Sequence, residues 1–284
     1  MTVLEGIQKS TEFLAKRRVE SPRLQAELLL AHVLKMPRMK LYLNFDKTLL
    51  DGETDSLREL VKRRGQREPL QYIMGSISFC GCEIIVNRHA LVPRPETEIL
   101  AELGWNFLGS LNSPVPAALD LGTGTGCIAI ALAVKCPAAR ISATDISPEA
   151  LALAGENAKK NNVTGIEFRH GDRFAALPAG AVFDLIASNP PYIATAEIET
   201  LQPEVRDFDP RTALDGGADG LDFYRRFATE AQAFLKPAGK IMLEFGDGQA
   251  QAIRKIFENE KWIVEAIKSD YSQRDRILIA SLNG

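Results

Sequence analysis

Ala117-Ala118-Leu119-Asp120-Leu121-Gly122-Thr123-Gly124-Thr125-Gly126-Cys127 runs from an apolar stretch straight into three alternating glycines and then into a helix-forming segment reaching about residue 135. A strand that turns through glycines into a helix lets backbone approach a ligand closely, because Gly tolerates φ values that other residues avoid. The unit predicts an α/β fold with a nucleotide-like cofactor and leaves the cofactor open. The dehydrogenase fingerprint G-x-G-x-x-G/A wants Gly or Ala at position 127 and meets Cys127, which disfavours a nicotinamide enzyme.

Outward from this unit the chain alternates strands and helices. Residues 140–144 read as a strand ending at Asp145, and Ser147-Pro148 caps a helix to about residue 161. Residues 166–170 read as a strand ending at Gly171-Asp172, and 183–188 as one ending at Asn189-Pro190-Pro191-Tyr192. Helices at 222–235 and 249–259 and strands at 240–245, 262–267 and 277–281 complete a Rossmann-like, mostly parallel sheet. In such sheets ligands bind outside the carboxyl ends of the strands. Those ends carry the glycine loop, Asp145, Asp172 and Asn189. Asp145, about 20 residues past the glycines, suits two ribose hydroxyls, and Asp172 suits the exocyclic amine of an adenine. Alone, each Asp is more often a cap or turn residue; their place at successive strand ends favours a site.

Asn189-Pro190-Pro191-Tyr192 is stiff, since each proline fixes its own φ and pushes the residue before it toward extended geometry. The prolines have no N–H, so an Asn oxygen beside bare carbonyls makes a fixed cluster of acceptors, with Tyr192 adding a flat face. A planar NH2 group suits such a cluster. By itself the tetrapeptide reads equally as a turn that ends a strand.

Residues 1–68 read as a small helical bundle, with Thr2 and Glu5 at capping-box spacing and Ser21-Pro22 opening a second helix. The basic run Lys62-Arg63-Arg64 with Arg67 reads as a solvated helix end. Residues 69–95, in which Tyr72-Ile73-Met74 is strand-like, read as a β-hairpin linker whose end brings Arg94 and Glu96 to the lip of a site or leaves them solvated. Residues 96–284 read as the α/β domain that carries these strand-end residues.

Across 284 residues the net charge is −3, so nothing general favours nucleic acid or an anionic membrane. No apolar run approaches the ~18 residues of a membrane span, and no leader pattern opens the chain, so a cytoplasmic protein is expected. The four cysteines include no zinc-spaced pair, and no metal is expected.

Asp120 to Gly126, Asp145 and Asn189 to Tyr192 together resemble the class I S-adenosylmethionine-dependent methyltransferases that act on planar amino groups. With Val92-Pro93-Arg94-Pro95-Glu96-Thr97-Glu98, the helical N-terminus and Asp209-Pro210-Arg211-Thr212-Ala213-Leu214-Asp215-Gly216-Gly217, the whole chain resembles the glutamine methyltransferases of peptide chain release factors. The ribosomal-protein glutamine methyltransferases are expected to lack the Pro-Glu-Thr-Glu continuation. The resemblance implies S-adenosylmethionine as cofactor, S-adenosylhomocysteine as product, and a class I release factor as partner, methylated on the glutamine of its Gly-Gly-Gln loop by a monomer that binds no DNA. It assigns the cofactor to Gly122, Thr123, Gly124, Thr125, Gly126, Asp145, Asp172, Arg173 and Asn189, and the glutamine to Asn189, Pro190, Pro191 and Tyr192. Catalysis falls to Asn189, Pro190 and Tyr192. Arg173 stands where relatives often place an aromatic or apolar residue near the adenine, and Phe174 is expected to take that packing role. An adenine N6-methyltransferase and a non-catalytic cofactor sensor remain alternatives, the first because adenine presents the same NH2 chemistry.

Overall fold

The computed structural model describes residues 1–282, and chain contacts divide the molecule into two units: Met1–Ser76 with Gln202–Phe208, and Ile77–Leu201 with the chain from Asp209 onward.

The first unit contains α1 (Val3–Lys16), α2 (Pro22–Val33), a 3-10 helix (Arg38–Leu43), α3 (Asp51–Gly65) and α4 (Leu70–Met74) around a core that includes Val3, Ile7, Leu14, Leu30, Leu41 and Leu57. Thr2 and Glu5 form the expected capping box, the Glu5 amide donating to the Thr2 hydroxyl at 3.2 Å and the Thr2 amide to the Glu5 carboxylate at 3.0 Å. Ser21 sits in the left-handed region at φ 45° with no side-chain cap bond, so Pro22 opens α2 without a capping serine. Tyr72–Met74 is helix rather than strand. Gly75, at φ 82°, ends that helix, and Ile73 is buried in the bundle core, so the bundle extends to Ser76 and not 68. Of the basic run, Lys62 is exposed as a solvated end would be, but the arginines are not. Arg64 is buried and donates to the Gln25 side chain, the Glu68 carbonyl and the Glu204 carboxylate, while Arg67 meets Glu204 at 2.8 Å and Gln202 at 2.9 Å. Glu204 lies in a single helical turn, Pro203–Arg206, which these arginines hold within the first unit although the surrounding sequence is that of the second.

The second unit begins at Ile77, inside β1 (Ser76–Phe79), which is followed by β2 (Cys82–Ile85) across Cys80 and Gly81 at φ 51° and 83°, a two-residue hairpin turn. Then come α5 (Pro95–Ser110), β3 (Ala117–Leu121), α6 (Cys127–Lys135), β4 (Arg140–Asp145), α7 (Pro148–Lys160), β5 (Glu167–His170) and β6 (Phe183–Ser188). After the loops come α8 (Asp222–Glu230), β7 (Leu235–Glu244), α9 (Ala250–Asn259), β8 (Trp262–Ser269) and β9 (Asp275–Leu282). Among the described residues seven strands form one sheet in the order β5-β4-β3-β6-β7-β9-β8, parallel except that β9 runs against both neighbours.

Central β3 is buried along its whole length, as a parallel strand covered on both faces must be. Ala117, Leu119 and Leu121 face the cluster built from Phe227, Ile253 and Phe257 of α8 and α9. Asp120 faces the other way, accepting from the Ala129 amide of α6 at 3.1 Å. Successive strands are added outward to β5 and then restart at β6 on the other side of β3, so the carboxyl ends of β3 and β6 flank the switch point where such sheets open a crevice. No helix among the described residues is long and apolar enough to cross a membrane.

Candidate active site

A cavity of about 610 Å³ opens at these strand ends, a size that accommodates a nucleotide-like ligand. Of the residues singled out in the sequence, Gly122, Gly124, Asp145, Asp172, Arg173, Asn189, Pro190 and Pro191 line it. Thr123, Thr125, Gly126 and Tyr192 are not among the lining residues, and each has structural work instead. Thr123 donates to Asp120 at 2.6 Å, and the Thr125 carbonyl accepts from Asn157 at 2.9 Å. Gly126 stands at φ 81°, where an added Cβ would lie 3.0 Å from that of Ala154, so it allows α6 to pack on α7. The Tyr192 ring lies against Gly246, and burial together with nearby Glu244 pushes its phenol up to about 12, keeping it neutral.

The glycine loop is held from below and from the side. The Gly122 and Thr123 amides both donate to the Thr144 carbonyl at 2.9 Å, and the Gly124 amide donates to Asp145 Oδ2 at 2.8 Å. Asp145 Oδ1 accepts from the Ser147 amide at 2.9 Å, so the carboxylate bridges loop and helix start. Each of its oxygens retains a lone pair.

At the β5 end Asp172 pairs with Arg173 at 2.8 Å and Arg226 at 3.5 Å, while Arg173 also reaches Glu230 at 3.1 Å. Arg173 is therefore a neutralised strut to α8. Phe174 does not face the cavity: it is buried in the core, stacked on Phe234 with centroids 4.7 Å apart. The flat apolar wall is Phe223, one residue into α8, which the sequence did not single out. His89 to Leu91 and Pro210 to Ala213 are further walls; only the second set lies in a stretch the family resemblance had marked.

Beside the cavity, Asn189 Nδ2 donates to Thr97 Oγ1 at 3.0 Å, and Thr97 in turn donates to Glu244 Oε2 at 2.7 Å. Asn189 Oδ1 is buried and has no hydrogen-bond partner. A buried acceptor left bare is costly, which marks it as a place awaiting a donor. The backbone that follows is stapled to residues 214–217: the Ile193 and Thr195 amides donate to the Leu214 and Gly217 carbonyls at 3.0 and 2.9 Å, and the Gly216 amide donates back to the Ile193 carbonyl at 2.8 Å. Gly216 must lack a side chain, because a Cβ there would lie 2.9 Å from the Pro191 carbonyl oxygen. Arg94 is not at the cavity lip; it pairs at 2.7 Å with buried Asp209, which anchors the start of the same wall. Among the described residues no group of three or more His, Cys, Asp or Glu is arranged to hold a metal.

A parallel sheet with this glycine loop, strand-end carboxylate and bare Asn acceptor defines a class I, Rossmann-like methyltransferase. The fold is matched by a 16S rRNA methyltransferase of T. Thermophilus solved in complex with AdoMet and guanosine, at a TM-score of 0.52 and 19% identity over 73% of this chain and 50% of that one. Two family profiles match, the PrmC N-terminal domain over residues 5–75 and the methyltransferase small domain over 107–203. The chain is 45% identical to the release factor glutamine methyltransferase of Geobacter sulfurreducens, covering 90% of this chain and 88% of the relative. It is 39% identical to that of Chlorobaculum tepidum over 97% and 95%. It belongs to the release factor glutamine methyltransferase family.

Proposed function

We propose that this enzyme transfers a methyl group from S-adenosylmethionine to the side-chain amide nitrogen of the glutamine in the Gly-Gly-Gln loop of class I release factors. The observation that carries the reading is the buried, unpartnered Asn189 Oδ1 beside a cavity whose other end holds Gly122, Gly124 and Asp145. The residues present fit the cofactor. Gly122 and Gly124 leave backbone open to it, Asp145 offers lone pairs to ribose hydroxyls, and Phe223 offers a face for the base. Bound there, S-adenosylmethionine supplies an electrophilic methyl on a sulfonium and leaves as S-adenosylhomocysteine.

The chain's own task is orientation. An amide nitrogen is a poor nucleophile because its lone pair is delocalised into the carbonyl. When its NH2 donates to Asn189 Oδ1 and to the Pro190 carbonyl, the nitrogen is held and its lone pair is turned away from both acceptors, toward the cofactor end of the cavity. Once nitrogen is alkylated it becomes strongly acidic, and the proton leaves to water, so no strong base is required. Tyr192, neutral and packed inward, shapes the turn from below.

The helical first unit is proposed to grip the release factor; Met39, Leu43 and Leu50 are 67%, 86% and 69% exposed on that unit, apolar side chains available to a protein partner. The four free cysteines suit a reducing cytoplasm.

Labelled methyl transfer to a purified release factor, with its Gly-Gly-Gln glutamine intact or replaced and duplex DNA in parallel, tests the assignment. Label is expected on the intact factor alone; label only on DNA sinks it. Asn189→Ala is expected to abolish transfer while S-adenosylmethionine still binds, and comparable turnover in that variant removes Asn189 from its role.

A further inference from the structure

We infer that Thr97 and Glu244 are positioning residues that fix which end of the Asn189 amide faces the acceptor substrate. The inference rests on the methyl-transfer reading above and concerns a choice that Asn189 cannot make alone. A carboxamide rotated by a half-turn has nearly the same shape, but it presents two N–H donors where an acceptor is needed. Facing a substrate NH2, such an amide sets donor against donor.

The direction is determined by a single proton. A threonine hydroxyl has one hydrogen, and that of Thr97 is committed to Glu244 Oε2 at 2.7 Å. Only lone pairs are left on Oγ1, so the partner at 3.0 Å must be the Asn189 NH2. Oδ1 is thereby aimed at the other side, where it stands bare. Thr97 and Glu244 are both buried, at 2% exposure each, so water does not compete for either bond. The three residues come from the first turn of α5, the end of β7 and the end of β6, and only the fold brings them together.

Glu244 gives the device a charge dependence. Around it are Arg94 and Glu96 at the start of α5, Arg276 of β9 and the phenol of Tyr192, while the Tyr224 hydroxyl of α8 donates to the Glu244 carbonyl at 2.7 Å. Burial pushes its carboxyl up to about 7 despite the Thr97 bond. A protonated Glu244 can donate to Thr97, which releases the hydroxyl proton to Asn189 and favours the flipped amide.

The test compares Thr97→Val, Thr97→Ser and Glu244→Gln. Thr97→Val keeps the shape and is expected to lower kcat about 10- to 100-fold, the scale of a misplaced reacting group, with the Kd for S-adenosylmethionine unchanged. Thr97→Ser restores kcat to within about threefold, because one hydroxyl proton suffices. Wild-type kcat falls as pH drops through about 7, and Glu244→Gln removes that limb. Independently of activity, the Asn189 side-chain NH2 resonances, assigned by their loss in Asn189→Ala, are slow to exchange in the wild type and fast in Thr97→Val. Wild-type kcat in Thr97→Val, or unchanged amide exchange in it, overturns the inference. If the wild type methylates some acceptor other than a release factor, the functional reading fails while the kcat ratio on that acceptor and the amide exchange still decide this one.

Discussion

Glu204→Ala removes the carboxylate that two arginines share inside the first unit. Arg67 donates to its two oxygens at 2.8 and 2.5 Å, and buried Arg64 donates to Oε1 as well. Breaking a buried ion pair costs ~3–5 kcal/mol, but two features lower the figure here. The Glu204 and Arg67 side chains are 18% and 17% exposed, so solvent screens part of the loss. Arg64 also keeps the Gln25 side chain and the Glu68 carbonyl as acceptors. A net cost near 2–3 kcal/mol follows, which favours opening of the turn ~30- to 150-fold, at about 1.4 kcal/mol per tenfold. The Val205, Arg206 and Asp207 amides, bonded to Gln202 and Pro203 at 2.9 to 3.0 Å, report that opening by hydrogen exchange. Faster exchange by that factor is expected in residues 202–208, with β3 unaffected; unchanged exchange there refutes the clasp. Burial raises the Glu204 carboxyl, but bonds from Arg67 and Arg64 outweigh it and hold the group below its usual range. The clasp therefore contributes fully above the unfolded carboxyl pKa of about 4.3 and is lost as pH falls through the folded value.

Burial pushes Asp120 up to about 7 from 3.8. Across that window the folded chain binds a proton that the unfolded chain has released, so this group makes stability fall as pH rises, on the order of 4 kcal/mol in all. Asp120→Asn should gain relative to wild type between pH 4 and 8 in scanning calorimetry, and a pH-independent difference counts against a buried titration. Gly216→Ala should reduce kcat at least tenfold and lower the thermal midpoint, since its Cβ meets the Pro191 carbonyl oxygen and Gly220 Cα at 2.9 Å and neither backbone atom yields easily. Wild-type turnover in that variant would show that the acceptor turn tolerates displacement.

The sheet is legible because three of its parallel strands end in the glycines at 122–126, Asp145, and Asn189 before two prolines, residues that are ambiguous one by one and point to a site only together. Local spacing carried that information. It failed where contacts are distant or runs are short. Tyr72-Ile73-Met74 is too brief to separate a period of 2 from 3.6, and Gly75 settled it as a helix end. Phe174 and Phe223 are both aromatic and both pack on Phe227, yet only Phe174 also stacks on Phe234 and is buried in the core, while Phe223 lines the cavity. Arg64 gave no sign of a carboxylate 140 residues away. Thr97 belongs to the Val92–Glu98 stretch, but its chemistry emerges only beside Glu244.

On the proposed reading, an acceptor cluster also sets what is refused. Glutamate matches glutamine in shape, but it would bring carboxylate oxygens against Asn189 Oδ1 and the Pro190 carbonyl, lone pair against lone pair in a place where Oδ1 is already buried. A flipped Asn189 would relieve that repulsion by offering its NH2, and the Thr97 proton held by Glu244 opposes the flip. The same hydrogen-bond direction that presents an acceptor to the substrate amide thus denies a donor to its deamidated form. Selectivity for the amide and orientation of its nitrogen are consequently one property of the site, set by where a single hydroxyl proton points.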